Sequence, residues 1–456
     1  MNQRRHGNNE EAGMSENEAK PGLNARQTAT KLLSAVVDRA TSLDGLLDAA
    51  NGNPAFRGLS DADKGLVRAI LLATLRHLPI IEAVLASLVE KPLPAGARAL
   101  NHVLNIAAAQ IIYLEVPDHA AVDIAVEQAN RDPRNRRFAS LVNAVLRRLV
   151  REKTRLLPQI EATTINAPQW FYQRLQSAYG ARAQAILAAQ ACEPSIDLTV
   201  KSDPQHWAEL LGGIVLPTGS VRLGKVDGSI TALPGFADGQ WWVQDVAASI
   251  PAKLFGNIEG KNIADLCAAP GGKTAQLILA GAKVSAVDLS RNRLKRLSEN
   301  LARLGYEADI VETDLLKWQP DGLYDGVLLD APCSSTGTVR RHPDIPWTKS
   351  LADIEKLAEL QEKMLRHAAT LIKPGGVIVF SNCSLDPLEG EDMVERVLAS
   401  QTDLKRRPVL ATDWPGLETA ITDRGDIRTT PDMLPHEIAR LSGMDGFFAS
   451  VLVRHE

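Results

Sequence analysis

The stretch Asp265-Leu266-Cys267-Ala268-Ala269-Pro270-Gly271-Gly272-Lys273-Thr274 carries the strongest signal in the C-terminal half. It follows the apolar run 263–266 and opens a segment of helical spacing, 274–280. Small residues let the backbone approach a ligand, and a helix N-terminus favours negative charge. Gly272-Lys273-Thr274 matches the end of a P-loop, but Cys267 stands where that loop needs glycine. No GxGxxG is present, so a phosphate-cradling ATPase and a nicotinamide site are both disfavoured. Asp288 ends the next apolar run, 23 residues beyond Asp265, a separation at which an acid commonly accepts from ribose hydroxyls. Asp314 follows a third run and Asp330 a fourth, so these acids are expected at the C-terminal ends of strands, where open α/β sheets bind ligands. Many carboxylates and no phosphate loop suit an adenosine-bearing, phosphate-free ligand, a description that S-adenosyl-L-methionine satisfies.

Working outward, buried-strand runs at 263–266, 283–287, 308–311, 326–329 and 377–380 alternate with helical runs at 274–280, 291–304 and 353–371. That alternation predicts a doubly wound, mostly parallel α/β sheet over 240–456, with 447–453 as a last strand. The 456 residues imply about three domains. A net charge of −4 excludes a chain basic all over, though not a local basic patch. Four cysteines are too few for a disulfide scaffold, and no CxxC or CxxH pair suggests a metal site. No run reaches the roughly 18 apolar residues of a membrane helix, and no export signal is legible, so a cytoplasmic location is expected. Residues 1–23 read as a disordered tail.

Residues 24–150 read as an all-helical bundle. Leu66, Val67, Ile70, Leu71, Leu75 and Leu78 form one stripe at helical period, and Leu141, Val142, Val145, Leu146, Leu149 and Val150 form another. Ser60 with Asp63 marks a helix start, and Pro54, Pro79, Pro92, Pro94 and Pro117 divide the segment. Residues 131–155 hold nine Lys or Arg against two acids, a local balance of +7 suited to an RNA backbone. Residues 151–166 read as a linker, and 167–239 as a small α/β domain with strands near 196–200, 214–217 and 221–223.

Cys333 lies in DAPCSSTG (330–337) and Cys383 in SNCSLDPLEGE (381–391), each just beyond an apolar run at the edge of the expected ligand site. A lone cysteine is usually inert, but two in loops over one crevice suggest nucleophilic chemistry. DLCAAPGGKT, DAPCSSTG and SNCSLDPLEGE, in this order, resemble the RNA 5-methylcytosine methyltransferases. HAAVDIAVEQA (119–129) and FASLVNAVLRRL (138–149) resemble the NusB-like RNA-binding fold. The resemblance implies a Rossmann-like methyltransferase domain behind a NusB-like bundle, using S-adenosyl-L-methionine and acting, most simply as a monomer and without a metal or a membrane, on small-subunit (16S) ribosomal RNA.

The resemblance further implies that Cys383 is the thiolate that adds to carbon 6 of a cytidine, so that carbon 5 takes the methyl group. Asp330 is implied to hydrogen-bond the ring-nitrogen edge of the base, and Cys333 to assist release. Cys267, Ala268, Ala269, Pro270, Gly271, Gly272 and Lys273, with Asp288, Arg293, Asp314 and Asp330, are implied to hold the cofactor. Arg340 and Arg341 follow the Cys333 loop, where either phosphate contact or an ordinary surface place fits. Where the family has Leu-Arg-x-Asn, this chain has Leu198-Thr199-Val200-Lys201, so no RNA role carries over there. The rivals are a 5-methylcytosine enzyme for tRNA or large-subunit rRNA, a non-catalytic NusB-like RNA-binding or antitermination factor, and a methyltransferase for proteins or small molecules.

Overall fold

The computed structural model describes residues 20–90, 97–226 and 228–455. Almost all of the tail read at 1–23, and Pro92 and Pro94, lie outside the described residues. The chain divides into two compact units, one holding most of the residues up to 162 and the other residues 163 onward with the short pieces 39–42 and 75–80.

The first unit is helical: Leu23–Arg39, Asp61–Arg76, Leu78–Leu88, Arg98–Tyr113, Asp118–Arg131 and Ala139–Glu161 are its main helices. Val67, Ile70 and Leu71 of one stripe and Val142, Val145, Leu146 and Leu149 of the other are buried, which is what a 3.6-residue apolar period produces. Ser60 Oγ accepts from Asp63 N–H at 3.2 Å, the helix start expected there. The linker read at 151–166 needs correction, because the helix Ala139–Glu161 runs through most of it. Glu152 explains the continuation: Arg148 bonds it at 2.8 Å and Arg155 at 2.6 Å along the helix face. The same pairing thins the basic patch. Lys153 bonds Asp118 at 3.0 Å and Arg131 bonds Glu127 at 2.6 Å. Arg134, Arg137, Arg147 and Arg151 make no ion pair among the described residues.

The second unit carries two sheets. The small antiparallel one has strands β1 (Ile196–Val200), β2 (Gly213–Val215), β3 (Val221–Leu223) and β4 (Trp241–Val243), in the order β2-β3-β1-β4. The fourth strand shifts the domain boundary read at 239–240, since Trp242 pairs with Thr199 of β1 rather than with the large sheet. The large sheet has β5 (Asn262–Leu266), β6 (Lys283–Asp288), β7 (Asp309–Glu312), β8 (Tyr324–Asp330), β9 (Ile372–Asn382), β10 (Leu404–Arg406), β11 (Ile427–Thr429) and β12 (Phe447–Arg454). Its order is β10-β12-β9-β8-β5-β6-β7, with β11 also paired to β12. β5 to β9 are parallel, while β12 runs antiparallel to β9.

Successive residues of β8 serve opposite faces. Val327 and Leu329 pack with Leu365 and Val394, whereas Leu328 packs with Leu277 and Val284. Both faces are therefore covered, as a parallel sheet requires. β7 is the exception to the buried-run reading: it is the sheet edge, and its Ile310 is 39 % exposed. Ser290 caps the helix Arg291–Leu304, whose Leu294, Leu297 and Leu301 are buried. Among the described residues no single helix is long and apolar enough to cross a membrane.

The small sheet is fixed to the large domain by buried charge. Arg222 forms a two-pronged bond with Asp197 at 2.7 Å, both side chains being fully buried. Its third nitrogen reaches the carbonyls of Leu441 and Gly443 at 2.9 and 2.6 Å. Removing either partner would leave an uncompensated buried charge, which costs about 3–5 kcal/mol in comparable pairs.

Candidate active site

β5, β6 and β8 end side by side, and the loop 267–271 crosses their ends. Cys267 adopts a left-handed φ of +61°, and Ala269–Pro270 is cis. Gly271, at φ +99°, has no room for a side chain, since a Cβ would come 2.9 Å from Leu297 Cγ. The chain then enters the helix Gly272–Leu279, as the sequence reading expects. Burial pushes the Cys267 thiol up to about 12, a neutral packing group rather than a thiolate.

Asp265 lies beneath the loop, fully buried, accepting from Thr274 Oγ1 at 2.6 Å. Its Oδ1 has no hydrogen-bond partner among the described residues. Burial, with Asp330 and Asp288 adding, pushes this carboxyl up to about 7 from 3.8. The folded chain thus holds this proton more tightly than the unfolded chain does, so the stability the group contributes is present below pH 3.8 and is lost as pH rises towards about 7. Asp265→Asn removes that dependence. The melting-temperature advantage of the variant over the parent should widen with pH across this window and then level; a constant difference overturns the assignment.

Asp288 ends β6 with its carboxylate turned back on the loop. It accepts from Ala269 N–H at 3.3 Å and Ser290 N–H at 2.9 Å, and Arg293 stands 3.3 Å away. Arg293 also donates to the Ala269 carbonyl, so one arginine clamps loop and acid together. Asp314 lies two residues past β7 rather than at its end, where its side chain caps a short turn at Leu316 N–H, 3.1 Å away. Asp330 ends β8, with Oδ2 on Lys273 Nζ at 2.8 Å and Oδ1 on Ser381 Oγ at 3.0 Å. Lys273 Nζ also lies 4.9 Å over the Phe447 ring.

The two cysteines meet beside this ion pair. Cys383 Sγ is 3.4 Å from Cys333 Sγ. The loops that carry them are sewn together: Gly337 N–H donates to the Cys383 carbonyl at 2.8 Å, and Leu385 N–H to Thr336 Oγ1 at 2.9 Å. Gly337 has to be glycine, since a Cβ would come 2.0 Å from the Gly446 carbonyl oxygen. The thiols behave as a pair. The hydrogen bond from Cys333 pulls Cys383 below the ordinary thiol value against the effect of burial. The same bond, then burial, pushes Cys333 well above it.

The RsmB/F family of 16S rRNA methyltransferases matches residues 253–453, and the NusB family residues 23–151. The ribosomal RNA small subunit methyltransferase B of Serratia proteamaculans is 33 % identical over 452 residues, 95 % of this chain and 100 % of the relative. That of Vibrio vulnificus is 34 % identical over 95 % of this chain and 100 % of its own length. This chain belongs to the RsmB/F family. Among solved structures, NSun6 from Pyrococcus horikoshii covers 63 % of this chain and 98 % of its own, with a TM-score of 0.51 at 20 % identity, a likeness of fold. A methyltransferase homologue, also from Pyrococcus horikoshii, covers 62 % and 93 % with a TM-score of 0.50 at 26 % identity. The chain is therefore an RNA methyltransferase with an N-terminal NusB domain and a Rossmann-like catalytic domain, and it uses S-adenosyl-L-methionine.

The residues present fit that cofactor. Lys273, the one cation in the loop, is committed to Asp330, which leaves no free cation there for phosphate. The acids that remain suit hydroxyls and a sulfonium. The loop 267–273, with Asp288, Asp314, Arg293 and Asp330, would hold it.

Three features escaped the sequence reading. Arg340 and Arg341 do not face phosphates. Arg340 is 1 % exposed, and Arg341 bridges Asp245 at 2.6 Å and Asp445 at 3.0 Å, bracing the segment after the small sheet against the one before β12. The acids that pair with Arg341 are about 100 residues away on either side, with no local signal. Second, the helices Gln169–Tyr179 and Ala183–Gln190 hold both cysteine loops: Tyr179 OH donates to the Leu385 carbonyl at 2.7 Å, Arg174 grips Asp386 at 2.7 Å, and Gln190 donates to the Thr336 carbonyl at 2.9 Å. Third, Glu389 within SNCSLDPLEGE is fully buried, where a glutamate beside Gly390 and Glu391 in a polar loop reads as exposed.

Proposed function

We propose that this protein methylates carbon 5 of a cytidine in 16S ribosomal RNA through a covalent bond between Cys383 and carbon 6. The observation that carries the reading is the placement of Cys383, a thiol drawn below its ordinary value by the bond from Cys333, 3.4 Å from that second thiol and within the field of the Lys273–Asp330 ion pair. Carbon 5 of cytosine is a poor nucleophile, and thiolate addition at carbon 6 moves electron density onto it. When bound, S-adenosyl-L-methionine supplies an electrophilic methyl group at that carbon. Lys273 and Asp330 offer a donor and an acceptor to the ring-nitrogen edge, where charge develops as the thiolate adds. Release is an elimination: a base takes the carbon 5 proton, the C5–H electrons re-form the C5–C6 double bond, and the carbon–sulfur pair returns to Cys383 as thiolate, a departure that Cys333 assists. The cytosine enters unstacked, since carbon 6 is not reachable within a helix.

Arg134, Arg137, Arg147 and Arg151 supply the phosphate contacts of the helical unit. Relatives named for small-subunit rRNA support the 16S assignment, which we place in the cytoplasm. Bisulfite sequencing of total RNA tests it. A deletion strain should lose one 16S 5-methylcytidine and regain it with the wild-type gene. Loss confined to tRNA or large-subunit rRNA, or no loss at all, overturns the assignment.

A further inference from the structure

Glu389 is an unusual group to bury. It is 0 % exposed, and no cation pairs with it among the described residues. A buried carboxyl without a cation is costly unless hydrogen bonds replace its water. Those bonds are present, and they come from the residue that follows Cys333. Ser334 N–H donates to Oε1 at 2.9 Å, and the Ser334 hydroxyl donates to Oε2. Gln361 Nε2 donates to Oε1 at 3.0 Å and also to the Pro332 carbonyl at 2.9 Å, on the other side of Cys333.

The backbone of Glu389 serves the second loop. Its carbonyl accepts from Asn382 Nδ2 at 2.7 Å, and Asn382 Oδ1 accepts from Ser384 N–H at 2.9 Å. Cys383 lies between those two residues. Ser334 and Ser384 close the ring, their hydroxyl oxygens 3.2 Å apart. One residue therefore holds both neighbours of Cys383 and, directly or through Gln361, both neighbours of Cys333.

Uncharged glutamine could fill the same space. Its carbonyl would accept from Ser334 N–H and Gln361, and its amide would donate to the Ser334 hydroxyl, which can turn towards Ser384. What glutamine cannot supply is negative charge beside Cys333. We infer that Glu389 is the positioning residue of the thiol pair: its buried carboxylate fixes the two cysteine loops against each other, and its charge reserves the nucleophile's role for Cys383 by keeping the shared proton on Cys333. Its field adds to the bond with Cys383 and to burial in holding Cys333 as a thiol; burial pushes the Glu389 carboxyl itself up, and the bonds from Ser334 and Gln361 oppose that push. The role in methyl transfer rests on the function proposed above, whereas the charge asymmetry of the pair does not.

The charged groups around the pair are few. The charges of Lys273 and Asp330 act on Cys383, and that of Glu389, bonded to Ser334, acts on Cys333. Beyond them lie Arg428, paired with Glu391 and bonded to the Ser384 carbonyl, and Arg174, paired with Asp386. The test therefore varies Glu389 alone and reads the two thiols separately. The full-length chain is labelled with iodoacetamide as a function of pH, without RNA, and each cysteine is quantified by peptide mass spectrometry.

In the parent, Cys383 should react at least about tenfold faster than Cys333, the ratio expected for one pKa unit of difference. Glu389→Gln should bring the two rates to within about threefold and lower kcat, leaving KM for the cofactor unchanged. Glu389→Asp keeps the charge and should keep the order. A folded Glu389→Gln chain with the parent's selectivity overturns the inference. Should the glutamine variant not fold, the aspartate variant decides: retained selectivity supports the inference, and levelled labelling overturns it. Failure of the methylation reading shows only in turnover, so the two outcomes are distinct.

Discussion

Replacing Cys383 with alanine is expected to lower methyl transfer to 16S RNA by roughly 10⁵-fold or more, the scale on which covalent nucleophiles are missed. Without the thiolate, carbon 5 has no route to sufficient electron density, and neither Lys273 nor Asp330 can supply the missing bond. Cofactor affinity should stay within about twofold of the parent, because the loop 267–273 and Asp288 are organised by Asp265, Arg293 and Leu297 rather than by the cysteine loops. The check is a single-turnover methylation assay beside calorimetric titration with S-adenosyl-L-methionine. Full residual activity would sink the covalent mechanism. A parallel loss of cofactor binding would mean that the substitution damaged the fold instead.

Cys333→Ala is expected to do the reverse at the level of the intermediate. Addition to carbon 6 needs Cys383 alone, so RNA should still become attached. Departure of Cys383 from the methylated base should stall, and the protein–RNA adduct should accumulate as a slow band on a denaturing gel. The double variant lacking both thiols should show no such band, which ties the adduct to Cys383. The expected effect is a change from little detectable adduct to a substantial share of the enzyme, with turnover reduced on the order of 10²-fold or more, as for loss of an acid–base group. Clean, fast turnover by Cys333→Ala would remove this residue from the release step. The structure adds a second consequence: Cys333 donates the hydrogen bond that lowers the Cys383 thiol, so its removal should also slow iodoacetamide labelling of Cys383.

Much of this site was legible because its chemistry is encoded in contiguous motifs. DLCAAPGGKT states its own geometry: an apolar run, a turn of small residues and a helix start. Each acid at or just past a strand end could be found by the same alternation of strand and helix. The readings that failed share a different cause. Residues 151–166 looked like a linker because a charge count does not show Glu152 pairing with Arg148 and Arg155 along one helix face. β4 was assigned to the large domain because Trp241–Val243 carries no mark of which sheet it joins. Arg340 and Arg341 looked exposed because a charged pair in a loop usually is.

Residue order alone was enough for the order of elements, the two apolar stripes of the helical unit, the glycine-rich loop 267–273 and the two candidate thiols. These depend on periods and spacings of a few residues, where the chain's own geometry leaves little choice. Folding was needed to see which thiol holds its proton more tightly, that Lys273 pairs with Asp330, and that Glu389 binds both cysteine loops. Those outcomes depend on groups 50 to 57 residues apart meeting within about 3.5 Å in a partly or fully buried place. Burial there sets which groups carry charge, and burial is a property of the folded chain alone.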